Sequence, residues 1–331
     1  MGRPLDTVAL TTPMLLVSSE RANRGKHLTV VTVLTKGGLT GRVDWSERTI
    51  VDEMRVAVVT DSTASLPAEL AAQWRLRVVP VQVSIDGHLD DEGRIPHAAV
   101  LDALRAGRAV STEPPAAAAF FWAYQQAAAD GADAVVSLHI SARQSKTYEH
   151  ALEAARQSTI PVHVLDSGTS GMSMGYAAAA AARVAAAGGD PERVMATLAK
   201  RLDDSSELIY VDTLEYLRKG GRIGAAAKLI GSALSLKPLL TMREGQIAPL
   251  DKVLGANRAL RRLADTAVRR ADGREVDVAV EHVGAPDQAK MLLDEITPRI
   301  PRTRVAIITE VSSALAIHLG PGALGITISP A

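Results

Sequence analysis

Hydroxyl side chains gather at three places where an apolar, strand-like run gives way to a helical pattern. Asp61-Ser62-Thr63 follows the run 56–59. Ser111-Thr112 stands just before Pro114. Ser141, Ser145 and Thr147, with the phenol of Tyr148, follow Val135, Val136, Leu138 and Ile140. A helix start offers free backbone N–H groups and the positive end of the helix dipole, which suits a small anion. In open α/β sheets such loops lie beyond the carboxyl ends of the strands, where ligands bind. The chemistry on offer is an anion cradle. The other job open to Ser145 and Thr147 is capping the helix that follows, the commonest use of such residues.

Groups that break bonds are harder to find. The chain has no cysteine, which excludes disulfides, thiolate metal sites and cysteine nucleophiles. It has no G-x-S-x-G elbow, its eight histidines show no metal-ligand spacing, and no carboxylate pair stands out. Gly320-Pro321-Gly322-Ala323-Leu324-Gly325 is formally G-x-G-x-x-G. A dinucleotide site needs a strand before the glycines and a helix after them. Here a helix precedes and a strand follows, so the glycines instead let the backbone pass close to something, with His318 at the helix end as a hydrogen-bonding group. Lys219-Gly220-Gly221-Arg222 reads as a basic turn, phosphate-gripping or simply solvated. No cofactor and no metal are expected.

The elements that must position these groups alternate. Strand runs at 56–59, 78–85, 134–140 and 162–165 are separated by helical patterns, which argues for a mostly parallel, doubly wound sheet. The alanine-rich stretch 177–187 reads as a buried helix face. After Asp203 the character changes. Runs 238–242 and 246–250 flank Arg243-Glu244-Gly245 as a β-hairpin, and strands near 276–281, 303–309 and 324–329 alternate with helices, the last near 312–318. The expected fold class is α/β, with an N-terminal doubly wound, mostly parallel sheet domain over 54–203. A smaller C-terminal α+β domain covers 204–331, with ligand between the two. Residues 1–53 lack a sustained period and are expected to be a disordered tail or not native. The run 28–34 could form a strand but has no obvious partner, and Met54 is the expected natural start.

Bulk composition narrows the partners. Lys and Arg total 37 and Asp and Glu total 37, so no global field points to nucleic acid or an anionic membrane. Aromatic content of 3% disfavours base-stacking platforms, and no apolar run approaches the ~20 residues of a membrane span. A soluble, cytoplasmic protein is expected, with no nucleic-acid partner and no stable membrane insertion.

Six short motifs in order resemble the DegV family from about Met54 onward. They are Val58-Val59-Thr60-Asp61-Ser62-Thr63, Ser111-Thr112-Glu113-Pro114, Ser145-Lys146-Thr147-Tyr148, Val164-Leu165-Asp166-Ser167, the run 216–223, and the run from His318 to Gly325. The resemblance implies a two-domain protein that buries a long-chain fatty acid between its domains and presents the acid to a separate fatty acid kinase. It implies that Ser111 and Ser145 hold the carboxylate, with Thr112, Thr147, His318, Asp61 and Ser62 around them. It also implies a kinase contact at Arg222 and Arg258. Lys146 stands where the family has glycine, and Leu254 stands where many members carry an arginine implicated in engaging the kinase. The reading is therefore a lipid carrier that is not itself an enzyme. Two rivals are an α/β phosphotransferase or hydrolase using Asp61 or Asp166 with Ser145, and a scaffold with an empty cleft. The apolar, aromatic-free stretch 225–240, with Ala226, Ile230, Ala233, Leu234 and Leu236, is expected either to wall the acyl slot or to be ordinary core.

Overall fold

A computed structural model describes residues 15–21, 27–33, 54–229 and 236–331. The chain divides into two compact units, residues 1–52 and 53–331. In the first, β1 (Leu15–Arg21) pairs antiparallel with β2 (His27–Val33). The expected strand in this segment therefore has a partner. The remainder of that segment lies outside the described residues.

The second unit opens with β3 (Val56–Asp61), α1 (Ala68–Gln73) and β4 (Arg77–Val79). Then come β5 (Gln82–Ile85), β6 (His88–Asp91), α2 (His97–Arg105) and β7 (Val110–Glu113). The anticipated single strand 78–85 is thus two strands, interrupted around Pro80, which has no N–H to give to a ladder. The segment at Ser111 is strand β7, and the helix expected there, α3 (Ala117–Ala129), starts only after Pro115. Strand β8 (Ala134–His139), α4 (Thr147–Ala155), β9 (Val162–Asp166), α5 (Gly171–Ala186) and α6 (Pro191–Asp204) complete this half. The four-stranded sheet, in order β4-β3-β8-β9, is wholly parallel, and β6-β5-β7 forms a separate antiparallel sheet.

All six residues of β8 are buried, as expected for a parallel strand covered on both faces. On one side Val58, Val136 and Leu138 meet Met174, Ala177, Ala178 and Ala181 of α5 and Leu198 of α6. On the other, Val59 and Val135 meet Phe120 and Tyr124 of α3 and Ala151 and Ala154 of α4. The alanines of α5 are the anticipated buried face; their small side chains let the helix lie close to the sheet.

From residue 206 the chain forms β10 (Ser206–Tyr210), α7 (Glu215–Lys219), β11 (Leu236–Arg243), β12 (Gln246–Leu254), α8 (Ala256–Ala271), β13 (Val276–His282), α9 (Pro286–Ile296), β14 (Thr303–Glu310), α10 (Ser313–Leu319) and β15 (Leu324–Pro330). The expected hairpin is β11–β12, turning at Glu244 and Gly245, both at positive φ. The mixed six-stranded sheet runs β12-β11-β10-β15-β13-β14, with β15 between β10 and β13. Its central strands β15 and β13 are buried along their whole length, while the edge strand β14 is largely exposed. Along β10, Leu208 and Tyr210 pack toward α8 and α9, while Ile209 joins Leu217, Ala316 and Ile317 of α7 and α10. Among the described residues no helix is long and apolar enough to cross a membrane.

Candidate functional site

A narrow cavity of about 70 Å³ opens at the carboxyl ends of the parallel strands. Its wall is largely aliphatic, with Ile140, Ile209, Leu217, Ile247, Val283 and Leu315 among its residues. A cluster of polar groups interrupts the wall: Thr112, Gln144, Ser145, Arg222 and His318.

Each is positioned by local structure. Ser312 caps α10 by accepting the Leu315 N–H at 3.2 Å, and His318 then falls in the last turn. There its Nε2 lies 2.9 Å from Thr112 Oγ1. Gly220 lets the ring lie against the preceding turn, since a Cβ there would sit 2.1 Å from His318 Nδ1. Gly320 ends α10 at φ +84, with the Tyr216 ring 2.2 Å from where a Cβ would be. Burial, reinforced by the Arg222 charge, pushes the His318 pKa down to about 4, so the ring is neutral at pH 7. Nδ1 is buried without a hydrogen-bond partner. The tautomer with its hydrogen on Nε2 is favoured, because it leaves an unpaired acceptor and avoids an orphaned N–H. His318 then donates to Thr112, and the threonine hydroxyl hydrogen is free to turn toward a ligand in the lumen.

Arg222 Nε donates to Gln144 O at 3.0 Å and Nη1 to Gly220 O at 2.7 Å, which fixes the guanidinium beside the hydroxyls. Ser145 Oγ lies 2.7 Å from Thr147 Oγ1 and accepts the Thr147 N–H at 3.3 Å. Ser145 therefore both caps α4 and lines the cavity. One oxyanion can meet hydroxyl donors and a fixed cation here, an arrangement stronger than neutral hydrogen bonding.

Other expected site residues lie elsewhere. Ser111 is exposed, opposite Ser84 in the β5–β7 ladder, and does not line the cavity; its neighbour Thr112 does. Thr147 is wholly buried at the start of α4. Ser62 Oγ accepts the Val81 N–H at 2.9 Å and braces a loop. Asp61 is wholly buried, accepting the Thr63 and Ile140 N–H groups, each at 3.0 Å, with His139 Nδ1 also at 3.0 Å. His139 Nε2 in turn lies 2.7 Å from Ser137 Oγ, which is 3.0 Å from the Tyr124 hydroxyl. This Asp–His–Ser series has the connectivity of a nucleophilic relay. Its members are wholly buried and none lines the cavity, so a substrate there cannot reach Ser137. Asp166 is exposed and accepts the Ala142 and Gly168 N–H groups. Arg258 is exposed on α8. Among the described residues no group of three or more His, Cys, Asp or Glu is placed to hold a metal.

Ala226 is buried in the apolar cluster beneath the six-stranded sheet and does not line the cavity; Leu236 is half-buried at the start of β11. Ile230, Ala233 and Leu234 lie outside the described residues.

A carboxylate pair that spacing does not reveal also lines the cavity. Glu207 of β10 accepts from Ser173 Oγ at 2.7 Å, and Glu281 of β13 accepts the Met172 N–H at 2.9 Å. Burial raises both pKa values, and for Glu281 the Glu207 charge raises it further. A carboxyl whose folded pKa lies above its ordinary 4.5 stabilises the fold fully below that value and loses the contribution as pH rises through the folded pKa. The thermal midpoint should therefore fall as pH is raised above about 5, and Glu281→Gln should flatten that fall. An identical pH profile in the variant would remove the pair from this role.

Residues 55–331 match the model of the DegV family of uncharacterised proteins. A DegV domain-containing protein of Streptomyces coelicolor is 43% identical over 275 residues, covering 83% of this chain and 98% of that protein. One from Mycobacterium tuberculosis is 34% identical over 276 residues, covering 83% and 97%. Among solved structures, a fatty-acid-binding DegV family protein from Thermus thermophilus superposes with a TM-score of 0.80 at 31% identity, covering 84% of this chain and 100% of that one. DegV from Bacillus subtilis, a fatty acid binding protein, gives 0.77 at 28% identity, covering 84% and 100%.

Proposed function

Because this chain belongs to the DegV family, we propose that it is a carrier that binds a long-chain fatty acid in the cavity described above. The acyl chain lies along the aliphatic wall. The carboxylate accepts from Thr112 and Ser145 and faces Arg222, with His318 orienting the threonine. The observation that carries this reading is a single cavity combining an aliphatic wall with that polar cluster. The fatty acid binding of the Thermus and Bacillus relatives supports it. The lining residues come from both 54–203 and 204–331, the two proposed domains, and residues 54–331 are proposed to carry the whole binding function.

Presentation of the bound acid to a fatty acid kinase in the cytoplasm, with Arg222 and Arg258 at the contact, belongs to the same proposal. Leu254, 51% exposed at the end of β12, puts an apolar side chain where the resemblance led us to expect an arginine. Native mass spectrometry of gently purified protein tests the central claim. A retained mass equal to a long-chain fatty acid is expected. A retained nucleotide or metal would favour an enzyme, and a bare chain that also fails to take up added oleate would leave a scaffold.

A further inference from the structure

The lumen contains a feature that a plain hydrocarbon tail does not need. Glu207 and Glu281, 7% and 2% exposed, line the same cavity as Ile209, Leu217, Ile247, Val283 and Leu324. Thr327 Oγ1 lies 2.7 Å from Glu207 Oε2 and 2.9 Å from Glu281 Oε2. The one hydroxyl hydrogen of Thr327 is shared between two carboxyl oxygens, so it cannot satisfy both fully. Two glycines keep the pair uncovered. At Gly171, φ +65, a Cβ would sit 2.8 Å from Glu281 Oε1; at Gly325 one would sit 3.3 Å from Glu207 Oε1. Both glycines line the cavity. Glu281 Oε1 takes one hydrogen bond, from the Met172 N–H, and keeps acceptor capacity, on a residue that lines the cavity.

An alkyl chain laid against these oxygens gives them no hydrogen bond, which is unfavourable for a buried polar group. A hydroxyl can donate to the free lone pair. Resting on the fatty-acid reading, we propose that the Glu207–Glu281 pair selects acyl ligands carrying a hydroxyl on the hydrocarbon chain, that is, hydroxy fatty acids. Along β15, Leu324 to Thr327 spans about 10 Å, and Leu324 follows the turn that ends the His318 helix. The hydroxyl so recognised lies several carbons from the carboxylate, at mid-chain or beyond.

The test uses the full chain freed of lipid and displacement of a fluorescent fatty acid. Competitors are stearate and hydroxystearates with the hydroxyl beside the carboxylate, at mid-chain and at the terminal carbon. A mid-chain or terminal hydroxystearate should bind about tenfold more tightly than stearate, the effect of one well-formed hydrogen bond in a dry site. The isomer with its hydroxyl beside the carboxylate should show no such gain. In Glu281→Met, or in Glu281→Leu should the methionine variant not fold, the ratio should shrink toward one, because neither side chain offers an oxygen acceptor. A purely structural pair would instead change stability and leave the ratio alone. Stearate binding as well as every hydroxystearate, or a ratio unchanged in a folded variant, would overturn the selection and leave the fatty-acid reading standing. Failure of all the competitors, stearate included, would bring down the fatty-acid reading itself.

Discussion

Thr112→Val should weaken oleate binding by about ten- to a hundred-fold, the cost of one charge-assisted hydrogen bond of about 1.5–3 kcal/mol. Ser111→Ala should change it by less than about twofold, within the ±0.5 kcal/mol of an ordinary surface substitution. Valine keeps the shape of threonine, so packing is preserved while the hydroxyl is lost. The loss has two parts. The carboxylate loses a donor, and His318 Nε2, 2.9 Å from the missing oxygen, is left without its acceptor inside a buried pocket. Ser111 sits one residue away on the exposed face of β7 and touches neither the lumen nor His318. Titration calorimetry on lipid-free protein, with thermal midpoints measured alongside, separates binding from folding. The opposite ranking of the two variants would mean that Ser111 holds the head group.

The second large effect is expected from filling the lumen. Ala314, near the start of α10, lines the cavity and is buried. A phenylalanine there projects into the space the acyl chain would occupy. Oleate retention should fall by about a hundredfold or more, equal to about 2.7 kcal/mol, while the lipid-free protein keeps its denaturation midpoint. Ala226→Phe should do the reverse, because Ala226 is fully buried behind the wall and does not itself line the lumen. Overpacking at such a site costs about 1–3 kcal/mol. If Ala314→Phe lowers the midpoint as much as Ala226→Phe and leaves oleate bound, the acyl chain lies elsewhere.

These pairs mark where sequence was legible. The β8–loop–α4 segment could be read because its apolar run, its hydroxyls and its helical pattern follow one another within a short span. Glu244-Gly245 announced the β11–β12 hairpin through local turn chemistry. Ser111 and Thr112 could not be told apart in this way. In a strand, neighbours face opposite sides, and motif order alone does not give the parity of β7. For 225–240 the sequence could not choose between acyl slot and core, because an apolar composition suits both equally. Glu207 and Glu281 escaped notice because they lie on different strands, β10 and β13, and meet only across β15. No local period records a pairing that the sheet order creates.

The place of β15 has a consequence for how the protein is made. Its residues supply part of the cavity wall, at Leu324 and Gly325, and the hydroxyl that joins the glutamates, at Thr327. Yet it is the last strand in chain order and lies in the middle of its sheet, with β10 and β13 as neighbours. Those two strands cannot meet their shared partner until β15 itself has been synthesised. Such long-range pairing is slow, because loop closure must precede the contacts that reward it. During translation the half-built sheet holds an open central slot, and the cavity wall is incomplete until β15 closes it. Until β15 is in place, the unpaired edges of β10 and β13 are sites where chaperone protection matters most.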